Sequence, residues 1–404
     1  MNNNSVNDGS DGSDGSDELE QRTILVGSST STDSRLAGQE AAAAALGTDP
    51  LKLLVVYASP SHDLQQLQAG IASVVTGVPL IGCTTAGEIA RTGPTESSVV
   101  VLGLSGNGFS IRTAKAAIQG EELRAAGSEV ARCVEEVDRK AHTVLFLLSD
   151  GLSGDQQEIV RGAYQQVGVA IPLVGGCAGD DGHMQVTHQF FGDEVLTGHV
   201  VAAAISSDGP IGIAVRHGWK PVGVPMFITE SSGVVVRSLD ERPALDVYLD
   251  RLDAPQDARS DSVAFSAFAA TRPIGVSRRG KEEVRFVARA DFEARSIHCF
   301  AEVPQGGEAW IMTGDADSIL SATDAACESA LSALGEQTPK GVLVFDCIAR
   351  KGVLGNDGIT DEINRIGSHC GTAPVAGFYS YGEIARTEGV TGFHNQTLVV
   401  LAFG

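Results

Sequence analysis

Short apolar runs alternate with amphipathic stretches along most of the chain, and the alternation recurs with a period. An apolar run at 53–57 has strand length, and Leu64, Leu67, Ile71, Val74 and Val75 then mark one face of a helix that Gly77 ends. Strands at 78–82 and 98–104 follow. The same order returns as a strand at 143–148, a helix carrying Ile159, Val160, Tyr164 and Val167 closed by Gly168, and strands at 171–175 and 199–205. A third round runs through 341–345, a helix near 361–366, and strands at 374–377 and 397–403. Each round takes roughly 50 to 65 residues, the length of one supersecondary unit. A strand-helix-strand crossover this short implies parallel pairing and a right-handed connection.

A strand at 24–28 and an alanine-rich helix at 34–46, stopped by Gly47, open the pattern. Between rounds two and three the texture changes. Residues 227–239 and 283–303 read as antiparallel strands, separated by a helix starting near Pro243 and a polar stretch, 250–262, which is the linker candidate. A further helix at 315–334 presents Ile319, Leu320, Cys327, Leu331 and Leu334. Residues 1–20 hold six acids, no base and few apolar side chains, so they read as a disordered acidic tail. The expected architecture is α/β, with duplicated strand-helix-strand units forming two mixed-sheet α/β domains. These are placed at 21–215 and 226–404, with the boundary between 207 and 226.

The rounds share sequence as well as pattern. Pro79-Leu-Ile-Gly82-Cys-Thr-Thr-Ala-Gly87-Glu88-Ile-Ala-Arg91-Thr92 aligns without a gap with Pro374-Val-Ala-Gly377-Phe-Tyr-Ser-Tyr-Gly382-Glu383-Ile-Ala-Arg386-Thr387. A weaker third copy, Pro172-Leu-Val-Gly175-Gly-Cys-Ala-Gly-Asp180-Asp181, puts the two aspartates at the positions of the repeated Gly and Glu.

These motifs resemble the FIST family, a sensory domain pair named for F-box and intracellular signal transduction. Gly82-Cys-Thr-Thr-Ala-Gly-Glu-Ile and Gly175-Gly-Cys-Ala-Gly-Asp are similar to signatures of its N-terminal half. Asp346-Cys347-Ile-Ala-Arg350, Gly377-Phe-Tyr-Ser-Tyr-Gly-Glu-Ile and His394-Asn-Gln-Thr397-Leu-Val-Val are similar to signatures of its C-terminal half, and the resemblance covers nearly all of the chain after residue 20. It implies a stand-alone cytoplasmic ligand-sensing protein that recognises a small metabolite such as an amino acid. The expected output is either a separate signalling protein such as a kinase or receptor, or none, the chain then having a stand-alone binding role.

Composition narrows the remaining classes. A net charge of -22 repels polyanions, and no basic stripe appears, so nucleic-acid binding is not expected. No apolar run is long enough to span a bilayer, and no membrane insertion is expected. Seven cysteines without a Cys-x-x-Cys pair favour neither a disulfide framework nor structural zinc. Asp180, Asp181, His183 and His188 match no metal motif, Ser153 lacks the hydrolase elbow, and no cofactor is called for.

The candidate ligand contacts lie on the repeated turns. Gly176 and its glycine neighbours permit close backbone approach, while adjacent Asp180 and Asp181 suit an ammonium group better than phosphate. Alternatively, the aspartates bond amides of their own turn. Glu88 with Arg91, and Glu383 with Arg386, either face a cleft or pair locally and pin a hairpin. Tyr379 and Tyr381 replace the small Thr84 and Ala86 and, with Phe378, offer a pocket wall. Of the two tyrosines, Tyr381 is preferred as a ligand contact. Cys83, Cys177 and Cys347 sit at strand ends, where open α/β sheets bind ligands, and Arg350 offers a pocket cation. The leading reading is a non-enzymatic sensor of a zwitterionic metabolite. The competitors are a cysteine-dependent acyl or thiol transferase, with His183 as a base for Cys177, and a partner-binding scaffold. The segment His394–Thr397 reads as a strand cap or a polar pocket edge, with the cap favoured.

Overall fold

The computed structural model describes residues 21–404 apart from 96, 121, 279–280 and 388–391; the stretch 1–20, expected to be a disordered tail, lies outside the described residues. The expected α/β character, repeated strand-helix-strand units and mixed sheets are all present. The first unit runs through strand Thr23–Ser29, helix Ser34–Ala44, strand Leu51–Ala58, helix Leu64–Ala72, strand Leu80–Thr84, a hairpin Glu88–Ala90/Gly93–Thr95 and strand Val99–Ser105. The second repeats this from Phe109–Ala117 to His199–Ser207, and the third from Ile211–Arg216 to Leu398–Phe403. Asp33, Asp63, Asp155 and Asp315 start helices by accepting hydrogen bonds from first-turn amides, which satisfies donors a helix leaves orphaned.

In every unit the middle strand pairs in parallel with the strand after its helix, as with Leu51–Ala58 against Leu80–Thr84. The hairpins, however, leave home. Glu88–Ala90 of the first unit pairs with Val375–Ser380 of the third. Strand Gln189–Phe191 of the second unit pairs with Leu80–Thr84 of the first, and Glu383–Arg386 of the third pairs with Leu173–Cys177 of the second. Each exchange covers a strand edge that would otherwise expose unpaired amides and carbonyls. Together the three exchanges close a ring, so the two halves of the sequence complete each other's sheets.

The inner faces of the three sheets share one core. Tyr57 packs against Phe378 at 4.8 Å between ring centroids, Phe378 meets Phe345 edge-to-face at 5.7 Å, and Phe345 packs against Phe146 at 5.6 Å, which joins all three units. Helices cover the outer faces. In the first two units the helix pairs meet through glycines, and a Cβ built on Gly162 would lie 1.9 Å from the Arg124 carbonyl oxygen.

Between Ile211–Arg216 and helix Ala316–Ser332 an eight-stranded antiparallel sheet is inserted, with helices Ala244–Arg251 and Ser262–Ala269. The polar stretch expected to be a linker, 250–262, is a packed part of this layer. Ala258 is fully buried, and the Arg259 guanidinium bonds the carbonyls of Leu249 and Ala254 and the Asp250 carboxylate.

The register corrects the ungapped third copy. Glu88 lies opposite Phe378, Glu383 opposite Gly176, and the residue in that position opposite Cys83 is Gln189. Asp180 and Asp181 therefore belong to an extra loop that precedes the second hairpin. A gapless alignment cannot register an insertion that lies inside the motif.

Candidate functional site

The repeated turns build buried polar anchors. The Glu88 carboxylate accepts from the Thr85 hydroxyl and, at 3.2 and 2.6 Å, from the Ser98 amide and hydroxyl. Glu383 repeats this with the Ser380 hydroxyl at 2.6 Å and the Thr397 amide and hydroxyl at 3.1 and 2.9 Å. Burial pushes both carboxyls up to about 7 against the hydrogen bonds that favour ionisation. Gln189 uses its side-chain oxygen to accept from the His199 amide at 3.1 Å. Arg91 and Arg386 reach across the exchanged edge instead of gripping a cleft, to the carbonyls of Ala373 and Ile171 at 3.1 and 3.0 Å. Each of those residues precedes the proline that opens a neighbouring strand.

Asp180 organises its own loop. Its carboxylate accepts from the Tyr381 hydroxyl and from the amides of Met184, Gln185 and Val186 at 2.8, 2.6 and 3.0 Å. Burial opposes ionisation, yet these four donors hold the carboxyl below its usual value. Asp181, with a left-handed φ of 53°, accepts from the Ser59 hydroxyl at 2.9 Å. His183 turns its ring onto the Asp180 carbonyl, while the Cys177 thiol lies 3.2 Å from the Ser149 hydroxyl. Burial raises the thiols of Cys83 and Cys347 and pushes Cys177 up to about 12. Neutral buried thiols lack the nucleophilic form that acyl or thiol transfer uses. Among the described residues no cluster of His, Cys, Asp and Glu could hold a metal ion.

Arg350 is not a cavity cation. It is fully buried, pairing with Asp346 at 2.6 Å and Glu362 at 2.5 Å and donating to Thr323 at 2.9 Å and the His217 carbonyl at 3.0 Å. Burial pushes the Asp346 carboxyl well up, and desolvation of Arg350 is outweighed by its two acids, which hold it charged. Cys83 and Phe378 face the central core, Gly176 lies within the second sheet under the third unit's hairpin, and Tyr379 is buried beneath the Lys351 ammonium at 5.1 Å.

Two cavities open where the third unit's parallel strands end, the usual ligand position of such sheets. They share Ile348 as a wall. One, of about 470 Å³, is lined by Ala86 and Ser97 of the first unit, Asp181 of the second, and Lys351, Gly352, Gly355 and Asn356 of the third. The other, of about 360 Å³, lies between the ring and the inserted sheet. The inserted sheet's layer contributes Phe286, Phe300 and Ser266, and the ring contributes Cys347, Ile348, Tyr381, Met184 and Asn395. Of the candidate residues, Asp181, Cys347 and Tyr381 thus line this crevice, while Cys83, Glu88, Gly176, Cys177, Asp180, Arg350, Tyr379 and Glu383 are among neither lining set.

The crevice owes its wall to a lengthened connection. In the first two units five or six residues join the middle strand to a helix capped by Asp63 or Asp155. In the third unit helix begins at once at Ile348 and is broken at Gly355, whose φ of 63° and ψ of -176° only glycine adopts without strain. Lys351, Met184, Phe286 and Phe300 escaped the sequence reading; Ile348 lay within a quoted motif without a role, and Asn395 within the segment read as a strand cap or a polar pocket edge. The signal available was the Gly352 and Gly355 pair, which lies where the other two rounds hold a short loop.

A ring of three repeated α/β units, with an inserted antiparallel layer and a crevice between units, defines the class of this protein. No described helix is long and apolar enough to cross a membrane. The chain belongs to the FIST family: residues 52–242 match the FIST N domain and residues 244–386 the FIST C domain. FIST domains are generally sensory domains of signal-transduction proteins. The chain is similar to the uncharacterized protein Rv0628c of Mycobacterium tuberculosis, 26% identical over 391 residues that cover 94% of this chain and 98% of that protein. It is also similar to the uncharacterized protein Mb0898c of Mycobacterium bovis, 24% identical over the same shares, and to the uncharacterized protein MJ1623 of Methanocaldococcus jannaschii, 26% identical over 51% of this chain and 41% of that protein.

Proposed function

We propose that this protein is a cytoplasmic sensor that binds a small amino acid-like metabolite in the crevice around Ile348 and passes the bound state to a signalling partner. One observation carries the reading: all three units and the inserted sheet contribute walls to one crevice. A ligand there touches elements of every unit and of the inserted sheet at once, so its binding energy can bias their arrangement. Asp181 and Lys351 supply opposite charges in the polar cavity, which suits the ammonium and carboxylate of an amino acid. Both side chains also bond protein groups, Asp181 to Ser59 and Lys351 to the Ala86 carbonyl at 3.1 Å, so the ligand's charges join an existing network. The moving part would be the short helical stretch before Gly355, hinged at that residue.

Isothermal titration of the full chain with the common amino acids tests this. Saturable binding accompanied by a higher melting temperature is expected, and Lys351→Met should weaken it at least tenfold. If no amino acid binds, or if Lys351→Met leaves the affinity unchanged, the assignment to this crevice fails.

A further inference from the structure

The cavity between the ring and the inserted sheet has an uncharged, largely hydrocarbon wall. Phe286 and Phe300 are held side by side by the hydrogen bond from the Phe300 amide to the Phe286 carbonyl at 3.1 Å, with ring centroids 5.5 Å apart, and both remain half-buried. Ala288 adds its methyl group from the same layer, and Ile348 and Ala349 face them from the ring. Met184 lines the cavity while 48% exposed, so this flexible thioether adapts the wall where it reaches solvent. Among the described residues, no Asp, Glu, Lys, Arg or His lines it.

The polar side chains on that wall are already engaged. The Tyr381 hydroxyl donates to Asp180 and accepts from the Gly182 amide at 2.8 Å, and the Ser266 hydroxyl donates to the Ala288 carbonyl at 3.4 Å. The Asn395 side-chain oxygen is buried, and burial holds the Cys347 thiol neutral. A charged or strongly polar group entering the cavity would therefore shed its hydration without recovering partners, whereas a hydrocarbon group loses nothing of the kind.

The apolar cavity adjoins the polar one that holds Asp181 and Lys351. Ile348 walls both, and the consecutive residues Asp181 and Gly182 line one each. Gly182 has a φ of 83°, and beyond its chain neighbours a Cβ built on it would meet only the Ile348 side chain, at 3.8 Å. The absent side chain leaves a gap between the Asp181 turn and Ile348, beside which one ligand can reach from the polar cavity into the apolar one.

We propose that this cavity is the side-chain subsite of the crevice and that it takes an uncharged hydrocarbon side chain, which makes the ligand an apolar amino acid or a close analogue. The inference rests on the reading that Asp181 and Lys351 receive the ammonium and carboxylate of an amino acid-like metabolite. Specificity then comes from desolvation: each methylene placed in the cavity strengthens binding, and a polar end group of the same length weakens it.

The test is calorimetric titration of the full chain with the straight-chain series L-alanine, L-2-aminobutyrate, L-norvaline and L-norleucine, with L-glutamine and L-glutamate as polar counterparts, and separately with toluene. Affinity should rise about fourfold per methylene, and so roughly sixtyfold from alanine to norleucine. Norleucine should outbind glutamine and glutamate at least tenfold. Ala288→Asp, which places a carboxylate on the half-buried wall, should cut the norleucine-to-alanine ratio at least tenfold. The wild-type series needs no variant, so a folding defect in Ala288→Asp leaves the test intact. Affinity that stays flat along the series, or tighter binding of glutamine or glutamate than of norleucine, would overturn the subsite and leave the amino acid reading standing. Toluene binding that Ala288→Asp abolishes, without binding of any amino acid, would sustain the cavity's preference for hydrocarbon and sink that reading. Absence of all binding would sink both.

Discussion

Replacing both Glu88 and Glu383 with glutamine should flatten the protein's stability profile between about pH 5 and pH 8. Both carboxyls are buried and pushed up to about 7. In the unfolded chain a glutamate titrates near 4.3. Between those values the folded state binds more protons than the unfolded state, so stability falls as pH rises through this window and levels off above it. A shift of about 2.7 pH units at 1.36 kcal/mol per unit bounds the effect at roughly 3.7 kcal/mol for each residue. Glutamine is a neutral stand-in for the protonated acid. Its oxygen can accept from the Ser98 or Thr397 amide, and its amino group can donate to the hydroxyl of Thr85 or Ser380. The second unit already carries this solution in Gln189, which accepts from the His199 amide. Urea denaturation at half-unit pH intervals provides the assay. The variant should exceed the wild type by only about 2 kcal/mol at pH 5 and by several more at pH 8, on the same arithmetic. Parallel profiles, or a variant weaker than wild type throughout, would refute the assignment of raised values to these carboxyls.

Four further outcomes follow from the structure. Arg350→Met strands the Asp346 and Glu362 carboxyls and should cost about 3 to 5 kcal/mol in chemical denaturation, because an uncompensated buried charge remains. Tyr381→Phe removes a donor to Asp180 and an acceptor for the Gly182 amide; a loss of about 1 to 3 kcal/mol and faster proteolysis within 182–188 are expected. The Asp180 carboxyl lies below its usual value, so its contribution is present above about pH 4 and is lost as pH falls. Hydrogen exchange of the Met184, Gln185 and Val186 amides in Asp180→Asn should rise at neutral pH, and unchanged protection would contradict the role given to this carboxylate. Gly162→Ala forces a Cβ to 1.9 Å from the Arg124 carbonyl oxygen and should lower stability by about 1 to 3 kcal/mol, whereas alanine at an unobstructed helical position would be stabilising.

Local pattern made much of the fold legible. The strand-helix-strand rounds, their parallel pairing, the antiparallel insertion and the Asp-capped helices all follow from periodicity and from short-range backbone chemistry, which act within one unit. The identical Gly-Glu-Ile-Ala-Arg-Thr segments marked the repeat, and the differences between copies pointed toward the crevice. Tyr381, which replaces an alanine, does line it, and Cys347 lies beside it.

Other features depend on contacts between residues far apart in the chain. Sequence by itself determined that three similar units exist, that two of them share a turn running Gly-Glu-Ile-Ala-Arg-Thr, and that most of the chain forms apolar strands flanked by amphipathic helices. Only the tertiary structure decided that each hairpin completes another unit's sheet, since pairing partners depend on which edge is open in space. It also gave Gln189 the place of the repeated glutamate and made Arg350 the centre of a buried ion cluster. The crevice itself arises where Asp181, Phe286, Ile348 and Asn395 meet, from four separate stretches of chain. No local pattern encodes that meeting, because it is produced by the closing of the ring and the packing of the inserted sheet against it.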